Sequence, residues 1–209
     1  LSARHTHYKM YNLKNFLPYD YRADLKDINW EESIVVFGCS MVYGAGLDLE
    51  DTIPYHINKQ LDVPVVNMGV VGSSMYFSLY NQMVLKNIAQ PKAVINIWTQ
   101  YTRVPYFKND RVVNYGPWDT EQNSFGDLWA RDDSNAVAHA LMIHQSSKEL
   151  WKEIPYYEAT FFRPTQAILN CDQLVGHAND TDYARDGIHP GPIATKMCAD
   201  YIISRANFC

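Results

Sequence analysis

From Ser33 onward, short apolar blocks alternate with longer stretches of mixed polarity. Ile34-Val35-Val36-Phe37 is a continuous apolar run that stops at Gly38, the pattern of a strand buried on both faces. Pro64-Val65-Val66-Asn67 and Ala93-Val94-Ile95-Asn96-Ile97-Trp98 read as a second and a third such strand. Between them, Pro54–Leu61 predicts a helix opened by a proline and capped by Asp51 or Thr52. Residues 74–89 predict a longer helix with Leu79, Met83, Leu85 and Ile88 near one face. Asn135–Glu153 predicts another helix, Tyr156–Phe162 a fourth strand, and Ala194–Arg205 a closing helix. Strand and helix in alternation predict an α/β domain, a parallel sheet with helices on both faces.

Two stretches break the pattern. Residues 1–30 are polar and aromatic, with Tyr8, Tyr11, Phe16, Tyr19, Tyr21 and Trp30 spread without period. They are expected to form an arm that packs on the body, leaving residues 31–209 as one domain. Residues 104–133 are rich in Asn, Asp, Gly and Pro and are expected to form a long loop or insertion.

Composition narrows the function classes. The chain has 209 residues with 47% hydrophobic and 20% charged side chains, enough apolar material for a substantial core. A net charge of −5 argues against nucleic acid as a partner, because phosphate binding needs a basic face. No apolar run is long enough to span a bilayer, and the first residues carry no apolar leader core. Cys39, Cys171, Cys198 and Cys209 form no Cys-x-x-Cys pair, so free thiols and a cytoplasmic location are expected. The oligomeric state stays open.

Three segments carry candidate chemistry. Gly38-Cys39-Ser40 leaves the first strand at its carboxyl end, where ligands bind in open parallel sheets. Gly38 is expected to permit a sharp turn there. Ser40 at the start of a helix has backbone N–H groups nearby that can stabilise an oxyanion, although this segment alone favours a simple capping serine. After the second strand, Gly69-Val70-Val71-Gly72-Ser73 allows close backbone approach. No Lys-Ser/Thr follows either glycine segment at phosphate-loop spacing, and Gly69-x-x-Gly72 is too short for a dinucleotide fingerprint. Near the C-terminus, Asp186-Gly187-Ile188-His189-Pro190 sets a carboxylate three residues before an imidazole, able to orient the ring and select its tautomer.

In this order the three segments resemble the SGNH/GDSL hydrolase family over roughly residues 33–205. The family's Gly-Asp-Ser block matches Gly38-Cys39-Ser40, its second-block glycine matches Gly72, and its Asp-x-x-His block matches Asp186 and His189. The resemblance implies a three-layer α/β/α sandwich with a flavodoxin-like parallel sheet. It also implies a Ser40–His189–Asp186 triad that hydrolyses carboxylic esters through an acyl-enzyme, with no cofactor and no metal. Two positions depart from the family. Cys39 stands where the family has Asp. In the third block the family's oxyanion-donating Asn has no counterpart in Trp98-Thr99-Gln100-Tyr101-Thr102-Arg103.

Gln100 is the expected replacement donor, with the Thr99 hydroxyl as a second candidate. The oxyanion set is therefore Ser40, Gly72 and Gln100, and Trp98, Thr99 and Arg103 are candidate substrate contacts. Arg103 could instead pair with an acidic neighbour. His139 and His144, five apart, do not share a metal-binding face, and His177 reads as a loop histidine. The expected substrate is a small-molecule or glycan ester, with acetyl groups on carbohydrate first. Tyr106, Phe107, Tyr115, Trp118, Phe125 and Trp129 are candidate pocket walls. The rivals are a non-catalytic module of the same fold that binds a glycan or a protein, and a flavodoxin-like nucleotide or flavin binder.

Overall fold

The computed structural model describes residues 8–9, 22, 28–108, 111–116, 129, 133–206 and 208. Its centre is a parallel sheet of β2 (Ile34–Gly38), β3 (Val65–Gly69), β4 (Ala93–Trp98), β7 (Tyr156–Thr160) and β8 (Asp172–Gln173), in the order β3-β2-β4-β7-β8. Residues 34–37 are all at most 1% exposed, which is why this strand is an unbroken apolar run. Ile34 and Val36 join the cluster of Ile95, Ile97, Ile53, Ile57, Cys198, Ala199 and Ile202. That face is covered by α2 (Ile53–Leu61) and α6 (Pro192–Arg205). Val35 and Phe37 join Val94, Phe77, Leu85 and Trp151 on the other face, under α3 (Met75–Lys86) and the end of α4 (Asp133–Leu150). Each such buried Ile, Leu or Phe contributes about 1.5–3 kcal/mol over an exposed one. Two helical layers thus enclose one sheet, the expected three-layer α/β/α sandwich.

Several elements follow the sequence expectation closely. Thr52 is the cap of α2, its hydroxyl accepting the Tyr55 N–H at 3.4 Å. β4 spans the expected residues. The face of α3 is a correction. Met83 and Ile88 are exposed, while Ser78, Asn81 and Gln82 are buried. The reason is a polar network beneath the helix. Ser78 Oγ donates to Asn96 Oδ1 at 3.1 Å, and Gln82 Oε1 accepts from Ser147 Oγ at 2.5 Å and from Trp151 Nε1 at 3.0 Å.

The expected loop after Arg103 begins as a hairpin instead. β5 (Val104–Lys108) pairs antiparallel with β6 (Arg111–Tyr115), with Lys108 opposite Arg111, so only residues 109 and 110 lie between them. β1 (Tyr8–Lys9) adds a third strand, Tyr8 opposite Val112. Trp30 packs beside the second core cluster. Tyr11, Phe16, Tyr19, Tyr21, Trp118 and Phe125 lie outside the described residues. The sequence pattern also missed α5 (Arg163–Leu169) and β8, both too short to show a period. Among the described residues no helix is long and apolar enough to cross a membrane.

Candidate active site

In the order β3-β2-β4 the chain steps from β2 to one side and then to the other, which opens a crevice at the carboxyl ends of β2 and β4. Ser40 stands there as the first residue of α1 (Ser40–Tyr43), a single helical turn. Its place depends on two glycines, for a reason different from the expected turn. Gly38 has no left-handed backbone. A Cβ on it would sit 2.4 Å from Val42 Cγ2 and 3.0 Å from the Ile97 carbonyl oxygen. A Cβ on Gly69 would sit 2.4 Å from the Tyr43 nitrogen and 2.8 Å from the Val42 carbonyl carbon. Each strand thus ends in a residue without a side chain, which lets α1 lie against it. Asn67, buried on β3, holds the turn down by donating to the Val42 carbonyl at 2.9 Å.

Asp186 and His189 arrive on a tight loop. Asp186 Oδ1 accepts the N–H groups of Ile188 and His189, each at 3.0 Å, and Oδ2 faces His189 Nδ1 at 2.6 Å. His189 Nε2 lies 2.8 Å from Ser40 Oγ. The structure therefore brings Ser40, His189 and Asp186 into one hydrogen-bonded line. Partial burial by itself would push the Asp186 carboxyl up. The two backbone N–H groups, and then the imidazole, outweigh it and hold the carboxyl below its ordinary value. With Nδ1–H given to the carboxylate, Nε2 is left able to take a proton from Ser40.

The loop is fixed from outside the motif by residues that sequence reasoning did not single out. Asp182 is buried and caps α6, its carboxylate accepting from Ile193 N at 3.1 Å and Ala194 N at 2.7 Å. The Arg185 N–H donates to the Gly46 carbonyl at 3.1 Å, and its guanidinium pairs with Asp48 at 2.7 Å. Gly46 has φ +75°, and a Cβ there would meet Asp186 Cγ at 3.1 Å. Arg22 braces the same segment, donating to the Gly44 carbonyl at 3.0 Å and the Leu47 carbonyl at 2.7 Å. These contacts join residues 11 or more positions apart, so no local spacing announced them.

Gly72, in a turn with φ +73°, follows β3 at the same edge. Gln100 follows β4, and its Oε1 accepts from Arg103 Nε at 3.2 Å. Thr99 is 3% exposed, and its hydroxyl has no hydrogen-bond partner among the described residues. Trp98 is a correction to the expected substrate contacts. Strand alternation turns it into the core, 1% exposed, with Nε1 donating to Glu158 Oε2 at 3.1 Å. Arg103 is likewise buried, 8% exposed, and its Nη1 donates to the Ser73 carbonyl at 3.3 Å.

Of the candidate pocket walls, Tyr106 is exposed on the hairpin, and Trp129 sets its ring edge-on to His139 at 5.4 Å. His177 packs on Tyr183, and Cys39, Cys171 and Cys198 are buried free thiols.

No protein-family model matches the sequence, and no curated protein does. Solved structures do resemble it. TesA superposes with a TM-score of 0.54 at 14% identity, covering 82% of this chain and 96% of that one. The acetyl xylan esterase Est2A from the rumen bacterium Butyrivibrio proteoclasticus gives 0.55 at 9% identity, covering 85% of this chain and 64% of its own. A protein described as a GDSL-like lipase from Bacteroides ovatus gives 0.51 at 12% identity, covering 84% of this chain and 52% of that one. The parallel sheet, the helices on its two faces and these likenesses give the chain an SGNH/GDSL hydrolase-like fold.

Proposed function

We propose that this chain is a serine hydrolase acting on carboxylic esters through an acyl-enzyme. The observation that carries the reading is the unbroken line from Ser40 Oγ through the imidazole to Asp186, with contacts of 2.8 and 2.6 Å. In this reading Ser40 Oγ attacks the ester carbonyl carbon while His189 Nε2 takes its proton. The carbonyl oxygen becomes negative and is held by the Ser40 and Gly72 backbone N–H groups and the Gln100 amide. Asp186 stabilises the imidazolium. The tetrahedral centre collapses, the C–O bond to the alcohol breaks, and His189 returns the proton to the leaving oxygen. Water, deprotonated by His189, then attacks the acyl carbon, and Ser40 leaves with its proton restored.

A short acyl group on a carbohydrate is the proposed substrate. An acetyl xylan esterase stands among the similar structures, and the exposed Tyr106 on the hairpin offers an aromatic face of the kind that stacks on sugars. The test is labelling by a fluorophosphonate probe together with turnover of acetyl, butyryl and longer aryl esters. The expected result is rapid labelling at Ser40 and turnover that favours acetyl. Ser40→Ala should keep the fold and lose activity by several orders of magnitude. If the wild type neither labels nor turns over any of these esters, the chain is a binding module on the same fold.

A further inference from the structure

A glutamine in place of the family-type asparagine raises a physical difficulty. It has one more rotatable bond, so its amide must be restrained before it can serve as a preorganised donor. The restraint is present at Arg103. Its Nε lies 3.2 Å from Gln100 Oε1, and its Nη1 lies 3.3 Å from the Ser73 carbonyl, one residue past Gly72. A guanidinium only donates hydrogen bonds, so the end of the carboxamide that faces it has to be the oxygen. The N–H2 end is thereby turned away from Arg103.

The guanidinium is itself fixed. It is buried, it lies over the Phe162 ring at 5.6 Å, and it meets the Cys39 thiol beside the nucleophile. One side chain thus touches the segments after β2, β3 and β4, the same three segments that would supply the oxyanion donors.

Building on the hydrolase reading above, we propose that Arg103 is a positioning residue of the oxyanion hole. It fixes the Gln100 carboxamide and the Ser73 carbonyl so that the Gln100 amide N–H2 and the Gly72 N–H face the oxygen that becomes negative at Ser40. It does this from the interior and does not itself bind substrate. A lysine cannot reproduce the arrangement, because it lacks two donors in a fixed plane.

The experiment is a double-variant cycle with Gln100→Ala and Arg103→Leu, read as kcat and KM on an aryl ester, with fluorophosphonate labelling of the wild type as reference. Gln100→Ala is expected to lower kcat about 100–1,000-fold with little change in KM. Arg103→Leu should reproduce most of that loss in kcat. The double variant should lose no more than the worse single variant, because both remove one function. Arg103→Lys should recover only part of the activity. Losses that multiply in the double variant, or an Arg103→Leu effect confined to KM, would overturn the inference while leaving the hydrolase reading intact. A wild type that neither labels nor turns over ester sinks both.

Should Arg103→Leu fail to fold, Gln100→Glu decides the matter. It keeps an acceptor for Arg103 but has no N–H to offer, so kcat should fall as in Gln100→Ala while Tm is retained. Full kcat in Gln100→Glu would overturn the inference.

Discussion

Among the described residues two histidine–carboxylate pairs of nearly equal length stand out. His189 Nδ1 is 2.6 Å from Asp186, and His144 Nε2 is 2.7 Å from Glu158. The first pair sits at the carboxyl edge of the sheet, and its second ring nitrogen reaches Ser40. The second pair lies between α4 and β7, where the carboxylate also accepts from Trp98 and Tyr156 and faces Lys148 Nζ at 3.6 Å. Burial pushes the Glu158 carboxyl up, but the hydrogen bonds from His144 and Trp98 prevail and hold it below its ordinary value. The contrast teaches that a carboxylate-oriented imidazole is not in itself a catalytic device. What separates the two is the third group and the strand edge. One pair meets the Ser40 hydroxyl at the edge of the sheet, and the other satisfies polar atoms inside a packed layer.

Exchanging the effects of the two pairs would break this comparison. His189→Ala should remove nearly all ester turnover, by about four orders of magnitude or more, with little change in Tm. His144→Ala should leave kcat/KM of the folded protein unchanged. It should instead cost about 1.5–3 kcal/mol of stability, because it removes one hydrogen bond to the Glu158 carboxylate while Trp98, Tyr156 and Lys148 remain, and lower Tm by roughly 3–12 °C. Parallel kinetics and thermal melts on the two variants decide it. A large loss of turnover in His144→Ala at unchanged Tm would refute the assignment.

Asp186→Asn should lower kcat about 1,000–10,000-fold, since an amide cannot fix the same tautomer or stabilise the imidazolium. Stopped-flow acylation by an activated ester would measure it.

Gly69→Ala tests the support of the nucleophile. The added Cβ meets the backbone of α1 at 2.4 Å, so Ser40 must move. A displacement of about 1 Å can cost on the order of 100-fold in rate, and kcat is the quantity to read. Wild-type kcat would show that the turn tolerates the shift.

The smallest effect concerns pH. Because its folded value is depressed, Asp186 contributes stability that is present above its unfolded value and is lost as pH falls through the folded one. An NMR titration should place the Asp186 midpoint below that of an ordinary aspartate. In His189→Ala it should rise only partly, since the backbone N–H groups of residues 188 and 189 remain. A full return to the ordinary value would show that the imidazole alone holds it down.

Much of the fold was legible because parallel strands buried on both faces leave apolar runs, unbroken in residues 34–37 and interrupted only by Asn96 in residues 93–98. The face of α3 was not legible, because it packs Ser78 and Gln82 against Asn96 and Ser147, and a polar interior inverts the usual pattern. The hairpin at Val104–Tyr115 was hidden by Pro105 and by its polar turn. Ser40, Asp186 and His189 could be nominated because each lies in a short local motif at a strand edge or loop. Arg22 and Asp182 could not, because their contacts join positions that no local motif links, and Arg103, expected as a substrate contact, is instead buried with its Nη1 on the Ser73 carbonyl 30 positions away. Trp98 was misplaced because a residue at a strand end looks equally available to either side until alternation assigns it a face.

The Arg22 brace bears on how this protein can be cut and recombined. The apolar pattern suggests a self-sufficient unit starting at residue 31, an attractive boundary for grafting the domain onto another chain. A graft begun there would keep every strand of the central sheet and every residue of the Ser40 line, but it would cut away Ile28 and Trp30, which pack on the second core cluster. It would lose the cation that holds the Gly44 and Leu47 carbonyls, and with it a tie on the segment against which the Asp186 loop rests. The boundary of the domain therefore lies upstream of residue 31, for the core as for the Asp186 loop. A transplant started at residue 31 is expected to present a loosened Asp186 loop.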